Sequence, residues 1–322
     1  MTMRRVLLTG AGGYVGGRLA QALQTDPQST LRLLTRGAGL PGVETVTLAE
    51  LGARTDSSAL ARAVEGIDTV LHLAALNEVE CVADPARAID VNITGTLLLA
   101  EAAKRAGVTR FVYMSTAHVY GAPLAHDVDE SRVTRPLHPY AWTHRAAEDV
   151  LFGVAQRTAM RPIVLRLSNA VGAPARGDTP RWTLLANDLC RQAVTTGVLR
   201  LSSNGLAARD FIAMRDVIDA VRHFIDLPEE RLGDGLYNLG SGTAQRVIDL
   251  AERIARRVAA RTGRSPLIER PQPMPGETAP PLRFHVEKLR ATGFSAASDL
   301  DAEIDETLAL CEATFVPSPP NP

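Results

Sequence analysis

Lysine is almost missing from this chain: Lys104 and Lys288 are the only two in 322 residues. A fixed ammonium at any reaction centre therefore has few sources. Cysteine is scarce as well. Cys81, Cys190 and Cys311 are odd in number and scattered, with no CxxC or Cys/His cluster, which excludes a disulfide framework and a zinc site and points to a reducing cytoplasm. No apolar run approaches the roughly 20 residues of a membrane helix. The short run after the N-terminal MTMRR ends in glycines that a first strand requires, so no signal peptide is read there. Excess charge is also lacking. A net charge of −1 argues against nucleic acid or a polybasic membrane contact as partner. What is present is an ordinary globular composition, 45% hydrophobic and 22% charged, on a chain long enough to bury a substantial core.

Val6 to Gly16 is an apolar run that breaks into Gly10, Gly13 and Gly16. The amphipathic stretch from Tyr14 and Val15 to Leu23 follows, and together they read as strand, phosphate loop and helix. Glycine at Gly10 permits a tight turn, Gly13 lets backbone approach a pyrophosphate, and Gly16 allows close helix–strand packing. The anion would sit on free N–H groups at the helix start.

Further short apolar segments predict strands at Leu31–Thr35, Val43–Leu48, Thr69–Leu73, Phe111–Ser115 and Ile163–Leu167. Helical stretches lie between them at Asp56–Glu65, Pro85–Ala106 and Tyr140–Thr158. This alternation predicts an α/β fold, a Rossmann-type doubly wound parallel sheet with the ligand crevice at the strand carboxyl ends. Residues 1–168 form the expected dinucleotide-binding domain, with the chain crossing back later. Residues 169–315 form a smaller α/β substrate-binding domain, and 316–322 a disordered tail. Helices are expected at Thr183–Thr196, Met214–Leu227 and Val247–Arg261, and irregular chain at Pro266–Pro281.

Other segments fall in a telling order. They are HLAA at His72–Ala75, VNITGT at Val91–Thr96, MSTAHVYG at Met114–Gly121, PYAWTH at Pro139–His144, LRLSNAVGAP at Leu165–Pro174, ARDFIAMRDV at Ala208–Val217 and YNLGSG at Tyr237–Gly242. With the glycine loop, they make the chain resemble the extended short-chain dehydrogenase/reductase family, in its NAD(P)-dependent epimerase/dehydratase branch, from about Arg5 to Phe294. The resemblance implies a nicotinamide dinucleotide, a nucleotide-linked sugar as substrate, and a homodimer built on the helices at Pro85–Ala106 and Tyr140–Thr158. It implies Tyr140 as the base that takes a proton from a sugar hydroxyl, and Thr116 as the hydroxyl that bonds the reacting oxygen, with Ser115 the lesser candidate. Leu73, Ala74 and Ala75 would line the cofactor cleft, Asn92 would brace the central helix, and Asn169 would contact substrate. Arg209 would reach the diphosphate, with a salt bridge to Asp210 or Asp216 as its structural alternative. Asp216 reads as a cap of the helix that follows.

Two positions depart from the family pattern. The lysine four residues after the tyrosine is His144, which can hydrogen-bond a ribose hydroxyl but carries a charge only when protonated. Where an arginine is usual stands Met274, with Arg270 and Arg283 as its only nearby substitutes. At the end of the second strand, Arg36 replaces the carboxylate that accepts a ribose hydroxyl of NAD, which favours NADP over NAD. The leading expectation is a nucleotide-sugar epimerase. A keto-sugar reductase using NADP(H) and a non-catalytic dinucleotide-binding protein are the alternatives. Dehydration is disfavoured because Ala117 and His118 offer no Asp–Glu pair, and His118 reads as a loop residue packed beside Tyr120.

Overall fold

The computed structural model describes residues 3–316. Its centre is a seven-stranded sheet of β1 (Arg4–Thr9), β2 (Ser29–Thr35), β3 (Glu44–Thr47), β4 (Thr69–His72), β5 (Arg110–Thr116), β6 (Arg161–Leu167) and β7 (Leu236–Leu239). The order is β7-β6-β5-β4-β1-β2-β3, parallel throughout. Val6, Leu7 and Leu8 are fully buried because helices cover both faces. Val6 and Leu8 join the core under the helices Tyr14–Gln24 and Met214–Asp226. Leu7 points the other way, into the core under Ser57–Val64, Gly95–Arg105 and Pro139–Ala155. The order reverses between β1 and β4, which opens a crevice at their carboxyl ends.

Strand β7 was anticipated only as part of a motif; it is supplied by the chain after the second group of elements has begun. That group packs the helices Leu185–Thr196, Val247–Thr262 and Leu300–Phe315 around Val171, Leu199 and Phe211. The helix Leu300–Phe315 is a finding the sequence did not suggest. Its buried positions include Glu303 and Thr307 among Leu300, Ile304, Leu308 and Cys311, so polar residues interrupt its apolar stripe. Ion pairs fasten it to the helix Val247–Thr262, Arg253 to Asp301 at 2.5 Å and Arg261 to Glu312 at 2.7 Å. The irregular stretch Pro266–Pro281 contains one short strand, Leu267–Glu269. The stretch Pro85–Ala106 is helical but contains a π-helical segment, Ile89–Thr94, centred on Asn92. Of the tail expected to be disordered, residues 317–322 lie outside the described residues.

Candidate active site

Gly10 has φ +79°, and a Cβ there would lie 2.7 Å from the Leu73 carbonyl. A Cβ on Gly16 would lie 2.0 Å from the Gly10 oxygen, so the helix Tyr14–Gln24 starts hard against the loop. Gly13 caps that helix with no side-chain hydrogen bond, and no acid stands in its first turn. The first N–H groups, at Tyr14 and Val15 among others, therefore lack a side-chain acceptor. A glycine cradle of this kind fits the pyrophosphate of a dinucleotide.

Tyr14 gives that cradle only its backbone. Its side chain is buried, and its hydroxyl donates to the Gly172 carbonyl at 2.7 Å, which ties the loop to the second group of elements.

The Thr9 hydroxyl accepts from the N–H groups of Leu73 (3.2 Å) and Ala74 (3.1 Å) and so draws together the ends of β1 and β4. Ala74 lies at this junction and Ala75, next to it, is exposed. Arg36 lies one residue past β2, its side chain 62% exposed and 3.7 Å from Glu50. Arg87 holds Glu50 more tightly, at 2.6 Å, which leaves Arg36 loosely engaged.

Opposite the loop, the His138 ring nitrogen caps the helix Pro139–Ala155 by accepting from the Tyr140 N–H at 3.2 Å. Asn92 accepts from the Leu76 N–H at 2.8 Å and donates to the Thr143 hydroxyl at 3.0 Å, bracing this helix against the segment after β4. Tyr140 packs on Leu76, Cys81 and Val91. Its phenol lies near enough to the Thr116 hydroxyl, at the end of β5, for that hydroxyl to favour its ionisation slightly. Ser115 points to the other face, as strand alternation requires. It donates to Glu148 at 2.5 Å, and Glu148 in turn pairs with buried Arg166 at 2.6 Å.

His144 is 3% exposed, with its ring centroid 4.1 Å from that of Tyr140. Its Nδ1 lies 2.8 Å from the Tyr140 carbonyl, which can only accept. Nδ1 therefore carries the proton, and Nε2 presents a lone pair. Burial lowers its pKa to about 4, so at neutral pH it supplies no positive charge. Burial also raises the Tyr140 pKa well above its usual value, and the Glu78 charge adds to this. The Arg181 charge and the nearby Thr116 hydroxyl oppose the rise without cancelling it. The phenol is protonated at neutral pH.

Glu78 and Arg181 were not foreseen. They pair at 2.9 and 3.3 Å across 103 residues of chain, and no local pattern could have linked them.

On the far wall, Asn169 donates to the Asp210 carbonyl at 2.8 Å. The Arg209 side chain is exposed and makes no hydrogen bond or ion pair among the described residues. Asp210 is spent on Ser168, Ser241 and Thr243. Asp216 holds Ala297 and Ser298 instead of capping its own helix. The structural alternative for Arg209 is thus removed. Met274 is 72% exposed. Arg270 is engaged by the Asn204 carbonyl at 2.5 Å, and Arg283 lies 3.9 Å from Asp127 on the surface.

Residues 6–240 match the model of the NAD dependent epimerase/dehydratase family. The UDP-glucose 4-epimerase of Rhizobium meliloti (strain 1021) is 33% identical over 58% of this chain and 62% of its own length. The chain thus spans under two-thirds of that relative. The dTDP-D-glucose 4,6-dehydratase of Mus musculus is 31% identical over 78% of this chain and 72% of its own. Among solved structures, MoeE5 in complex with UDP-glucose and NAD is 25% identical, with a TM-score of 0.76 over 97% of this chain and 99% of that one.

Proposed function

Because the chain belongs to the NAD-dependent epimerase/dehydratase family, we propose that it is a nucleotide-sugar epimerase working by transient oxidation of a sugar hydroxyl. The observation that carries this reading is that the Tyr140 phenol, at the start of the helix Pro139–Ala155, comes near the Thr116 hydroxyl at the carboxyl end of β5. Tyr140 as phenolate takes the hydroxyl proton, and Thr116 orients the reacting oxygen. The dinucleotide would be held by Gly10, Gly13 and Gly16, by Leu73, Ala74 and Ala75, and by the His144 lone pair toward a ribose hydroxyl. When bound, it supplies the acceptance and return of hydride. Loosely held Arg36 favours NADP over NAD, since a guanidinium pairs well with a 2′-phosphate. The Arg209 side chain, with no hydrogen-bond or ion-pair partner among the described residues, suits the sugar's diphosphate, and Asn169 bonds the neighbouring Asp210 carbonyl.

A homodimer is part of this reading. Val79 (71% exposed), Val82 (56%) and Ile89 (45%) leave an apolar face uncovered on the helices after β4.

One observation favours a second reading. A protonated Tyr140 beside a neutral His144 suits donation of a proton to a carbonyl, the direction a keto-sugar reductase runs. Incubation with UDP-, GDP-, dTDP- and ADP-sugars and either cofactor, followed at 340 nm and by sugar configuration, separates the two. Isomerisation without net cofactor change supports the epimerase, and stoichiometric cofactor change supports the reductase. Tight cofactor binding with neither outcome overturns both and leaves a non-catalytic binding protein.

A further inference from the structure

Glu78 and Arg181 meet at the crevice from different walls. Glu78 opens the helix Glu78–Ala83, just past Ala75 on the β4 side. Asn77 caps that helix by accepting from the N–H groups of Val79 (2.9 Å) and Glu80 (3.1 Å), and Glu80 accepts from the Asn77 N–H in return. Cys81, one helical turn on, packs with Tyr140, so the Glu78 side chain lies on the Tyr140 side of its helix. Arg181 comes from the loop that leads from Asn169–Val171 to the helix Leu185–Thr196. Its carbonyl accepts from the Asn187 amide at 3.2 Å. Asn187 is fully buried, and its side-chain oxygen lies 3.4 Å from the Tyr14 hydroxyl, on the β1 side. Trp182 fixes the same loop, donating to the Gly177 carbonyl at 2.8 Å and packing T-shaped with Phe315. Because the crevice opens between the carboxyl ends of β1 and β4, a bond from Glu78 to Arg181 spans it. The guanidinium donates through both terminal nitrogens, at 2.9 and 3.3 Å, to the two carboxylate oxygens. The Arg181 side chain is 18% exposed and that of Glu78 36%. Both backbones are held by other residues, and a partly exposed pair adds little to folding.

We propose that Glu78 and Arg181 form a latch across the crevice, an ion pair that parts to admit or release the dinucleotide and closes once it is seated. The latch rests on the reading above only in placing a dinucleotide in this crevice. With both backbones anchored, opening needs no loop movement, only rotation of two long side chains. Glu78, once released, stands at the start of its own helix, where free N–H groups and the helix dipole favour a carboxylate. The pair is made whether the crevice is empty or filled, so it does not discriminate between the two states and leaves affinity nearly unchanged. Breaking it lowers the barrier to entry and to exit alike. A plain charge effect behaves otherwise. A reduced dinucleotide is a polyanion, so removing the Glu78 charge alone would speed its arrival and slow its departure, and removing the Arg181 charge would do the reverse.

Stopped-flow fluorescence of NADPH and of NADH on the full chain reads both rates, with circular dichroism and the urea midpoint reporting that each variant is folded. Glu78→Ala and Arg181→Met should each raise kon and koff together by about 5-fold, the weight of one partly exposed bidentate pair, with Kd held within about 2-fold. Reversing the pair, Glu78→Arg with Arg181→Glu, should bring both rates back toward those of the wild type. Rates that move in opposite directions or not at all in the folded single variants overturn the latch, as does a reversed pair that exchanges as fast as they do. Latched exchange in a protein that neither epimerises nor reduces any sugar of the panel overturns the proposed function and leaves the latch standing. Free exchange in one that turns a sugar over does the opposite, and failure to bind either dinucleotide overturns both.

Discussion

Replacing His144 by lysine restores the cation that this site lacks, and its effect can be sized. Tyr140 and His144 are in ring contact, with centroids 4.1 Å apart. An ammonium about 5 Å from the phenolate, at an effective dielectric constant of about 20, stabilises it by about 3 kcal/mol, or about 2 pK units. The position is 3% exposed, so the ammonium is itself desolvated and part of that gain is lost. A net fall of about 1–2 units in the Tyr140 pKa is expected. In the epimerase direction the phenolate is the reactive form, so the rate climbs as pH rises through this pKa. Lowering the pKa moves that climb to lower pH and raises the rate below it by about 10- to 100-fold. In the reductase direction the phenol is the reactive form, and the same change moves the high-pH fall in rate downward. Single-turnover absorbance at 340 nm between pH 6 and 11 reports both. A folded His144→Lys protein with an unmoved profile and an unmoved rate would show that no charge at position 144 reaches the proton being transferred.

The remaining expectations concern the same crevice and its supports. Glu78→Gln removes a charge that raises the Tyr140 pKa and releases Arg181, so the low-pH limb should shift down by about 1 unit, read from the same profile. Gly16→Ala places a methyl 2.0 Å from a backbone oxygen that cannot rotate away. It should cost about 3 kcal/mol or more in urea unfolding and abolish dinucleotide binding, whereas Gly12→Ala, which meets nothing within 4 Å, should be silent. Arg36→Gln should weaken NADP by about 10- to 100-fold in calorimetry and leave NAD unchanged, as loss of one charge-assisted pair to phosphate implies. Buried His144 and His72 have pKa values lowered to about 4 and about 3, below their usual 6.5. Their contribution is fully present above pH 6.5 and is lost as pH falls from there toward 4, so the urea midpoint at pH 5 should report roughly 3 kcal/mol less stability than at pH 7. An unchanged midpoint would contradict neutral burial of both rings.

The framework of the site could be read before folding because its requirements are local. A positive φ at Gly10 and the missing room for a Cβ at Gly16 are demands made within a few residues, and they leave glycines at set intervals. The buried parallel strands announce themselves as short apolar runs, and Tyr140 and Thr116 stand in recognisable motifs. Other features left no local trace. The helix Leu300–Phe315 hides its apolar stripe behind buried Glu303 and Thr307. The choice between Ser115 and Thr116 depends on which face of β5 meets Glu148, a residue on another element.

The order of residues alone determined a nucleotide-binding α/β framework and nominated a tyrosine without its lysine. The folded chain decided what that tyrosine is: burial, Glu78 and an uncharged His144 hold it as a phenol. It also left the Arg209 side chain without a hydrogen-bond or ion-pair partner among the described residues, by turning Asp210 and Asp216 to other tasks. Periodicity and backbone conformation are written between neighbours in sequence. Protonation state and unsatisfied valence depend on solvent exclusion and on charges brought together from distant parts of the chain.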